Sequence, residues 1–195
     1  ETHSDTTGPE IFSVEITNGV QDPNDPNKYY TNSLTPTITV NFLEDATVNF
    51  SKLGNVDLIS QIGNEPSTTA TFSITDALEN GEYVFELNAK NENNLFMDPP
   101  LVATIIIDNI NPTLTIAPSD GIKTSISSVT IELTFSEKIN PDTLQVTIDL
   151  EDKTSSFTSL NNKLFTSTLN LSDGNKDILV SASDMANNPV TQTSL

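Results

Sequence analysis

Short stretches in which apolar and polar residues alternate follow one another along the whole chain, and Gly, Pro, Asn or Asp separates them. Alternation with a period of two is the pattern of a β-strand with one buried face. It predicts strands at 11–17, 36–43, 46–50, 55–60, 68–75, 82–89 and 101–108, and again at 113–117, 128–135, 143–150, 154–160, 164–171, 177–183 and 189–194. No window carries a helical apolar stripe, so helix is expected only as a turn or two near 76–80.

The number of strands predicts the fold class. Seven strands in each half are typical of an Ig-like sandwich, so we expect an all-β protein with two tandem Ig-like antiparallel β-sandwich domains. The predicted parts are 1–8, a linker or tail from a preceding module; 9–108, the first sandwich; and 109–195, the second. The alternation places these side chains on the inner faces: Ile38, Val40, Phe42, Val129, Ile131, Leu133, Phe135, Ile178, Val180 and Ala182.

A repeated motif marks the start of each half and indicates a tandem array. Asp5 and Pro9 precede the first strand of one half, and Asp108 and Pro112 precede the first strand of the other, with three residues inside each pair.

Composition excludes several classes of function. The 195 residues carry 27 acidic against 8 basic side chains, a net charge of -19, and every basic residue is lysine. Nucleic acid and anionic membranes are therefore not expected as partners, and no apolar run is long enough to span a bilayer. There is no cysteine, and the one histidine, His3, lies in a polar tail, so the usual catalytic triads lack a base. We expect a protein that is not an enzyme.

Motifs in both halves carry a family resemblance. The first half contains YTNSLTPTITVNF, TTATFSITDALENGEYVFELNAKNENN and ATIIIDNINP, and the second contains PTLTIAPSDG, TFSEKINPDTLQVTI and SDMANNP. In this order they resemble the bacterial Ig-like repeats of long surface adhesins and S-layer proteins, a family that also occurs on archaeal surfaces. The resemblance implies an extracellular, cell-surface location and a tyrosine corner at Tyr83. The second half departs from it, because Asn175 and Lys176 stand where the corner tyrosine would be.

Calcium is the metal that this composition suits, since it takes six to eight oxygen ligands and needs neither histidine nor cysteine. In a seven-stranded sandwich the turn between strands six and seven returns to the end where the chain enters. That topology brings Asp184, Asn187 and Asn188 beside the linker 108–112, where Asp108 supplies a carboxylate and the residues near Asn109 and Asn111 supply carbonyls.

The turn between strands five and six of the first sandwich faces the same junction, so Asp76 and Glu79 are added to the predicted ligands. The alternative is that these Asp and Asn residues are turn formers with no bound ion.

Other polar segments leave further alternatives open. Asp5 and Glu92 form half of an equivalent junction with an upstream module, and the loop 22–27 is dense in oxygen ligands but also reads as a proline-stiffened connector. Asn49 and Asn170 begin glycosylation sequons.

The expected function is a structural repeat segment, a stalk or a lattice piece, of an exported cell-surface protein whose interdomain junction is stiffened by calcium. Its partners are then neighbouring Ig-like modules of the same chain or other copies in a surface lattice. The rivals are a ligand- or glycan-binding adhesin module and an accessory domain of a secreted polysaccharide-active enzyme.

Overall fold

The structure, a computed structural model, describes residues 6–58, 66–119, 121 and 127–194, with side chains described up to 192. The chain divides into two compact units, Glu1–Asn109 and Ile110–Leu195. Both units are built from β-strands, which confirms the predicted all-β class. Within the described ranges, no helix has the length and apolar character needed to cross a membrane.

The described residues of the first unit form eight strands. They are β1 Ile11–Ile16, β2 Val20–Asp22, β3 Asp25–Thr31, β4 Thr37–Leu53, β5 Val56–Asp57, β6 Ser67–Ser73, β7 Gly81–Lys90 and β8 Leu101–Ile107. Strands β1 and β6 flank the first part of β4 in one sheet. The second part of β4 continues into the other sheet, in the order β2-β3-β8-β7-β4-β5.

The long strand β4 joins the two sheets of the first unit. Its pairing with β6 shifts register between Asn41 and Ala46, at the residues where the strand passes from one sheet to the other. The prediction of two separate strands, 36–43 and 46–50, was therefore wrong. The acidic residues Glu44 and Asp45 that appeared to separate them lie inside one irregular strand.

A hairpin formed by β2 and β3 occupies the segment that was predicted to be a connector. Strand β3 pairs in parallel with β8, with Tyr30 opposite Ile106, so the sheet is not purely antiparallel as expected. The carboxylates of the loop 22–27 shape the turn of this hairpin. Asp22 Oδ1 accepts the N–H of Asn24 at 2.9 Å, and Asp25 Oδ1 accepts the N–H of Asn27 at 3.0 Å.

In the second unit, the part of the chain that the structure describes forms eight more strands. They are β9 Leu114–Ala117, β10 Ser128–Phe135, β11 Gln145–Ile148, β12 Glu151–Asp152, β13 Thr158–Ser159, β14 Leu164–Asn170, β15 Ile178–Ser183 and β16 Pro189–Ser194. They make two four-stranded sheets with the orders β13-β14-β10-β9 and β12-β11-β15-β16.

Two local predictions, a strand over the whole of 154–160 and a helical turn at 76–80, are wrong. The predicted strand 154–160 begins as a 3-10 helix, Thr154–Ser156, in which Phe157 N–H donates back to Thr154 O. The predicted helical turn at 76–80 has no helical residue. There, Leu78 N–H donates to Leu34 O, a bond to a distant segment that competes with a local helical bond.

Each unit has its own core, and the period-two alternation located both. The predicted inner residues are buried, except Val129, which is half-buried and packs against the second core. Phe72 and Phe85 are fully buried in the first unit, with ring centroids 5.7 Å apart. Phe135 and Phe165 meet edge to face in the second, at 5.9 Å.

The tyrosine corner implied by the resemblance is present in the first unit. The Tyr83 hydroxyl donates to the carbonyl oxygen of Glu79 at 3.0 Å. Because this bond ties strand β7 to the preceding loop, replacing Tyr83 by phenylalanine should lower the free energy of unfolding of the first unit by about 1 kcal/mol. Chemical denaturation of the whole chain measures the change. Tyr29→Phe, which also loses a hydroxyl hydrogen bond in this unit, tests whether the effect is specific to the corner.

An ion pair at one end of the second unit gives a pH-dependent prediction. Lys176 Nζ donates to Asp149 Oδ2 at 2.7 Å, and this bond is the main reason that the pKa of Asp149 lies below its ordinary value of 3.8. The pair therefore contributes stability above about pH 4, and the contribution is lost as the pH falls through the lowered pKa of the folded state. Lys176→Met should raise the pKa of Asp149 in a carboxyl NMR titration. The exposed Lys163→Met should leave that pKa unchanged.

Candidate metal centre

The residues 184–188 form a tight turn around a buried carboxylate. Asp184 is only 2% exposed, and its Oδ1 accepts the N–H groups of Ala186 and Asn188, both at 2.8 Å. Its Oδ2 accepts a bond from Asn188 Nδ2 at 2.7 Å. Asn187 has a φ of 68°, a left-handed conformation that asparagine tolerates better than most residues. The turn therefore forms because the Asp184 side chain accepts hydrogen bonds from backbone N–H groups of the same turn.

Residues 136–140 place a second carboxylate beside this turn. Ile139 forms an isolated antiparallel bridge with Asp184 and is fully buried. On the other side, Ser136 N–H donates to Thr113 O and Thr113 N–H donates to Ser136 Oγ, each at 2.9 Å. Glu137 lies between these two anchors, so its position is set by the backbone on both sides.

Three acidic residues lie close enough together to hold a metal ion. Asp108, Glu137 and Asp184 each offer a carboxylate oxygen, and these oxygens all lie within 4.8 Å of one another. Two unit charges at that distance repel by roughly 3 kcal/mol at an effective dielectric constant near 20. A divalent cation would remove this repulsion, and it would find hard oxygen ligands already gathered.

The sequence predicted two members of this group and missed the third. Asp108 and Asp184 were proposed together; Asp108 directly follows β8, and its N–H donates to Thr31 O at 2.9 Å. Glu137 was missed because the prediction considered only linkers and turns between strands six and seven or five and six. The signal was present in the motif TFSEKINP, where Glu137 comes two residues after the buried strand end Phe135.

The other predicted ligands have varied positions. Asn187 is in the turn itself, where its N–H donates to Asp184 O at 3.3 Å. Asn109 N–H donates to Asn80 Oδ1 at 3.1 Å, and Asn111 is exposed. Asp76 and Glu79 are also exposed, and among the described residues neither joins the acidic group. Their role as ligands stays a prediction.

The remaining segments proposed from the sequence lend less support to a metal site. Asp5 lies outside the described residues. In the 22–27 hairpin the pKa of Asp22 is lowered, chiefly by the N–H of Asn24, with a further bond from the Tyr30 hydroxyl at 3.0 Å. These bonds are those of a turn former. The sequon residues Asn49 and Asn170 are both exposed.

The first unit also has an open groove of about 680 Å³, lined by residues 6–11 and 95–99 with Leu101. Phe96 is half exposed at its edge, and Glu10 and Asp98 contribute carboxylates. The groove therefore combines an aromatic face with hydrogen-bond acceptors.

Comparisons with known proteins support the fold. Neither a protein-family model nor a curated protein matches the sequence. Among solved structures, the chain is similar to the fibronectin(III)-like modules of Clostridium thermocellum CbhA, with a TM-score of 0.51 and 15% identity over 93% of this chain and 91% of that one. It also aligns with dimeric latent PorU from Porphyromonas gingivalis, with a TM-score of 0.37 and 12% identity over 100% of this chain and 20% of that one. The likeness to the modules agrees with two Ig-like sandwiches, and identities this low concern the fold alone.

Proposed function

We propose that the chain is a non-enzymatic structural segment of an exported cell-surface protein, in which a calcium ion stiffens the link between two sandwiches. The observation that carries this proposal is the group formed by Asp108, Glu137 and Asp184, whose carboxylate oxygens lie within 4.8 Å of one another. Such a group is costly without a cation, and the turn that holds Asp184 is built around that carboxylate.

The chemistry of the ligands favours calcium over other metals. Carboxylate and carbonyl oxygens suit hard cations, and calcium accepts irregular sets of six to eight such ligands. Magnesium requires a near-octahedral shell and dehydrates reluctantly, and zinc prefers nitrogen and sulfur. The segment 108–112, which holds Asn109 and Asn111, would supply the carbonyl oxygens that complete the shell.

The functional consequence is a link whose stiffness depends on the surroundings. Extracellular calcium-binding modules typically have dissociation constants of about 0.1 to 1 mM, so the site would be filled outside a cell and emptied by chelation. The partners are the adjoining modules of the same chain and other copies in a surface lattice. The net charge of -19 would keep such copies apart unless cations bridge them.

Calorimetric titration of the whole chain with calcium tests the proposal. The parent should bind with a dissociation constant of about 0.1 to 1 mM, and Glu137→Gln should weaken binding at least about tenfold because it removes one charged ligand. Glu132→Gln is the matched control, since Glu132 is an exposed glutamate of the same unit. If the parent and Glu137→Gln gave the same heat of calcium binding, the metal site would be contradicted and the turn-former interpretation would stand.

The groove of the first unit favours a second candidate function, a ligand-binding module. Its volume of about 680 Å³ falls within the range of small-molecule sites, and Phe96 offers a stacking surface for a sugar ring. Screening the whole chain against soluble glycans, with Phe96→Ala beside Phe12→Ala as an exposed aromatic control, separates the two functions. Binding that only Phe96→Ala abolishes would establish the second.

A further inference from the structure

The two units contain the same turn at equivalent places. In the first unit, Asn91 Oδ1 accepts the N–H groups of Asn93 and Leu95, both at 3.1 Å, as Asp184 Oδ1 does for the residues two and four positions later. Asn91 N–H donates to Leu95 O at 3.1 Å, and Asp184 N–H donates to Asn188 O at 3.0 Å. The fourth residue is left-handed in both turns, with φ 59° at Asn94 and 68° at Asn187.

The second terminal atom of the first turn residue differs between the units. Asn91 Nδ2 donates to Thr7 O at 3.0 Å, which ties the incoming segment 6–10 to the turn. At the equivalent place Asp184 carries an oxygen, Oδ2, which accepts a bond from Asn188 Nδ2. An ionised carboxylate has no N–H or O–H, so it is unable to donate to a backbone carbonyl.

The incoming segment of the first unit packs closely at the same place. A Cβ atom on Gly8 would lie only 2.0 Å from the carbonyl oxygen of Phe96, so the two backbones touch there and only glycine fits. Asn91 is itself buried, at 4% exposed. Its amide is therefore a specific link between two backbones that are already in contact.

We propose that the residue at the first position of this turn decides how the incoming segment of each unit is held. Asparagine at 91 holds segment 6–10 directly, with no requirement for a cation, whereas aspartate at 184 makes the hold on segment 110–113 responsive to calcium. The part of this proposal that concerns Asp184 rests on the proposed function above, and the part that concerns Asn91 does not. The chain thus combines an incoming segment that is held without calcium with one whose attachment responds to calcium.

Two backbone amides report on attachment in the first unit by residue-resolved hydrogen exchange of the whole chain. Leu43 N–H donates to Glu10 O at 2.9 Å, so its exchange rate reports whether the incoming segment is docked. Leu95 N–H reports whether the turn itself persists. In the parent, both rates should be the same in calcium and in chelator.

Asn91→Asp is the decisive variant, because it keeps the shape and the Oδ1 acceptor and replaces the amide donor by a carboxylate oxygen, the group that Asp184 has in the second unit. Leu43 should exchange about tenfold faster than in the parent, the change expected for one hydrogen bond, while Leu95 stays protected. Asn91→Ser, which also keeps an acceptor and lacks the amide, should behave in the same way. An unchanged Leu43 rate would overturn the proposal. Loss of protection at the core amide of Phe85 in both variants would also overturn it, because the side chain would then hold the whole unit.

The second unit is tested with its own reporter, Ser136 N–H, which donates to Thr113 O. In the parent its exchange should be faster in chelator than in calcium. The double variant Asp184→Asn with Asn188→Leu copies the first turn and removes the opposing Asn188 amide, so Ser136 should be protected equally in both conditions. A parent without calcium dependence would refute the proposed calcium site while leaving the Asn91 result standing. A double variant that still responds to calcium would refute the role of the turn residue.

Discussion

Replacing Phe135 by alanine should lower the free energy of unfolding of the second unit by about 3 to 5 kcal/mol. Phe135 is fully buried at the end of β10, and its ring meets that of Phe165 edge to face at 5.9 Å. Truncation removes buried apolar surface and the contact between the two rings. It also leaves a cavity that the surrounding sheets can fill only in part. Denaturant unfolding of the whole chain, with hydrogen exchange to assign the loss to the second unit, measures the effect.

The matched control for this core truncation is Phe12→Ala. Phe12 is 73% exposed on β1, so the same substitution should change stability by less than about 1 kcal/mol. Equal losses for the two variants would mean that burial does not decide the cost.

The second large effect is expected at Asp184. Alanine there should destabilise the second unit by about 3 kcal/mol, because three N–H groups lose a charged acceptor and two of them belong to Asn188, which is buried. The loss should occur without calcium as well as with it, since these bonds hold the turn itself. Thermal unfolding of the whole chain in excess chelator measures it.

Asp173→Ala is the control for the same change of charge in the same unit. Asp173 is exposed, so its loss should alter stability by no more than about 0.5 kcal/mol. If Asp184→Ala were as mild as Asp173→Ala, the buried turn would not depend on its carboxylate.

The strands and their inner faces were predictable because each strand has one buried side, as Ile131 and Leu133 show on β10. The hairpin of β2 and β3 was not, since two Asp-Pro steps look like a connector when the pairing with β8 is unknown. Which strands pair with each other depends on residues that are distant in sequence. The periodicity that finds a strand contains no information about its neighbour.

The candidate site was predictable only in part for a similar reason. Asp108 and Asp184 follow from the order of strands, because sequence position fixes the end of the sandwich at which a turn lies. The position of Glu137 depends on a backbone bridge between Ile139 and Asp184. The motif TFSEKINP places Glu137 just past a strand end, but it does not show that this strand end lies beside Asp184. In the sequence, Asn91 and Asp184 each begin an Asn-rich stretch, but the atom that differs between their turns is clear only from the contact of Asn91 with Thr7.

The parallel pairing of β3 with β8 changes how the first unit resists force. Strand β8 ends at Ile107, directly before the segment that leads out of the unit, and it is hydrogen-bonded to β7 on one side and to β3 on the other. A pull on the chain along β8 must shear both rows of bonds together, whereas an edge strand would lose one row. Under such a pull, the hairpin would act as a mechanical clamp on β8.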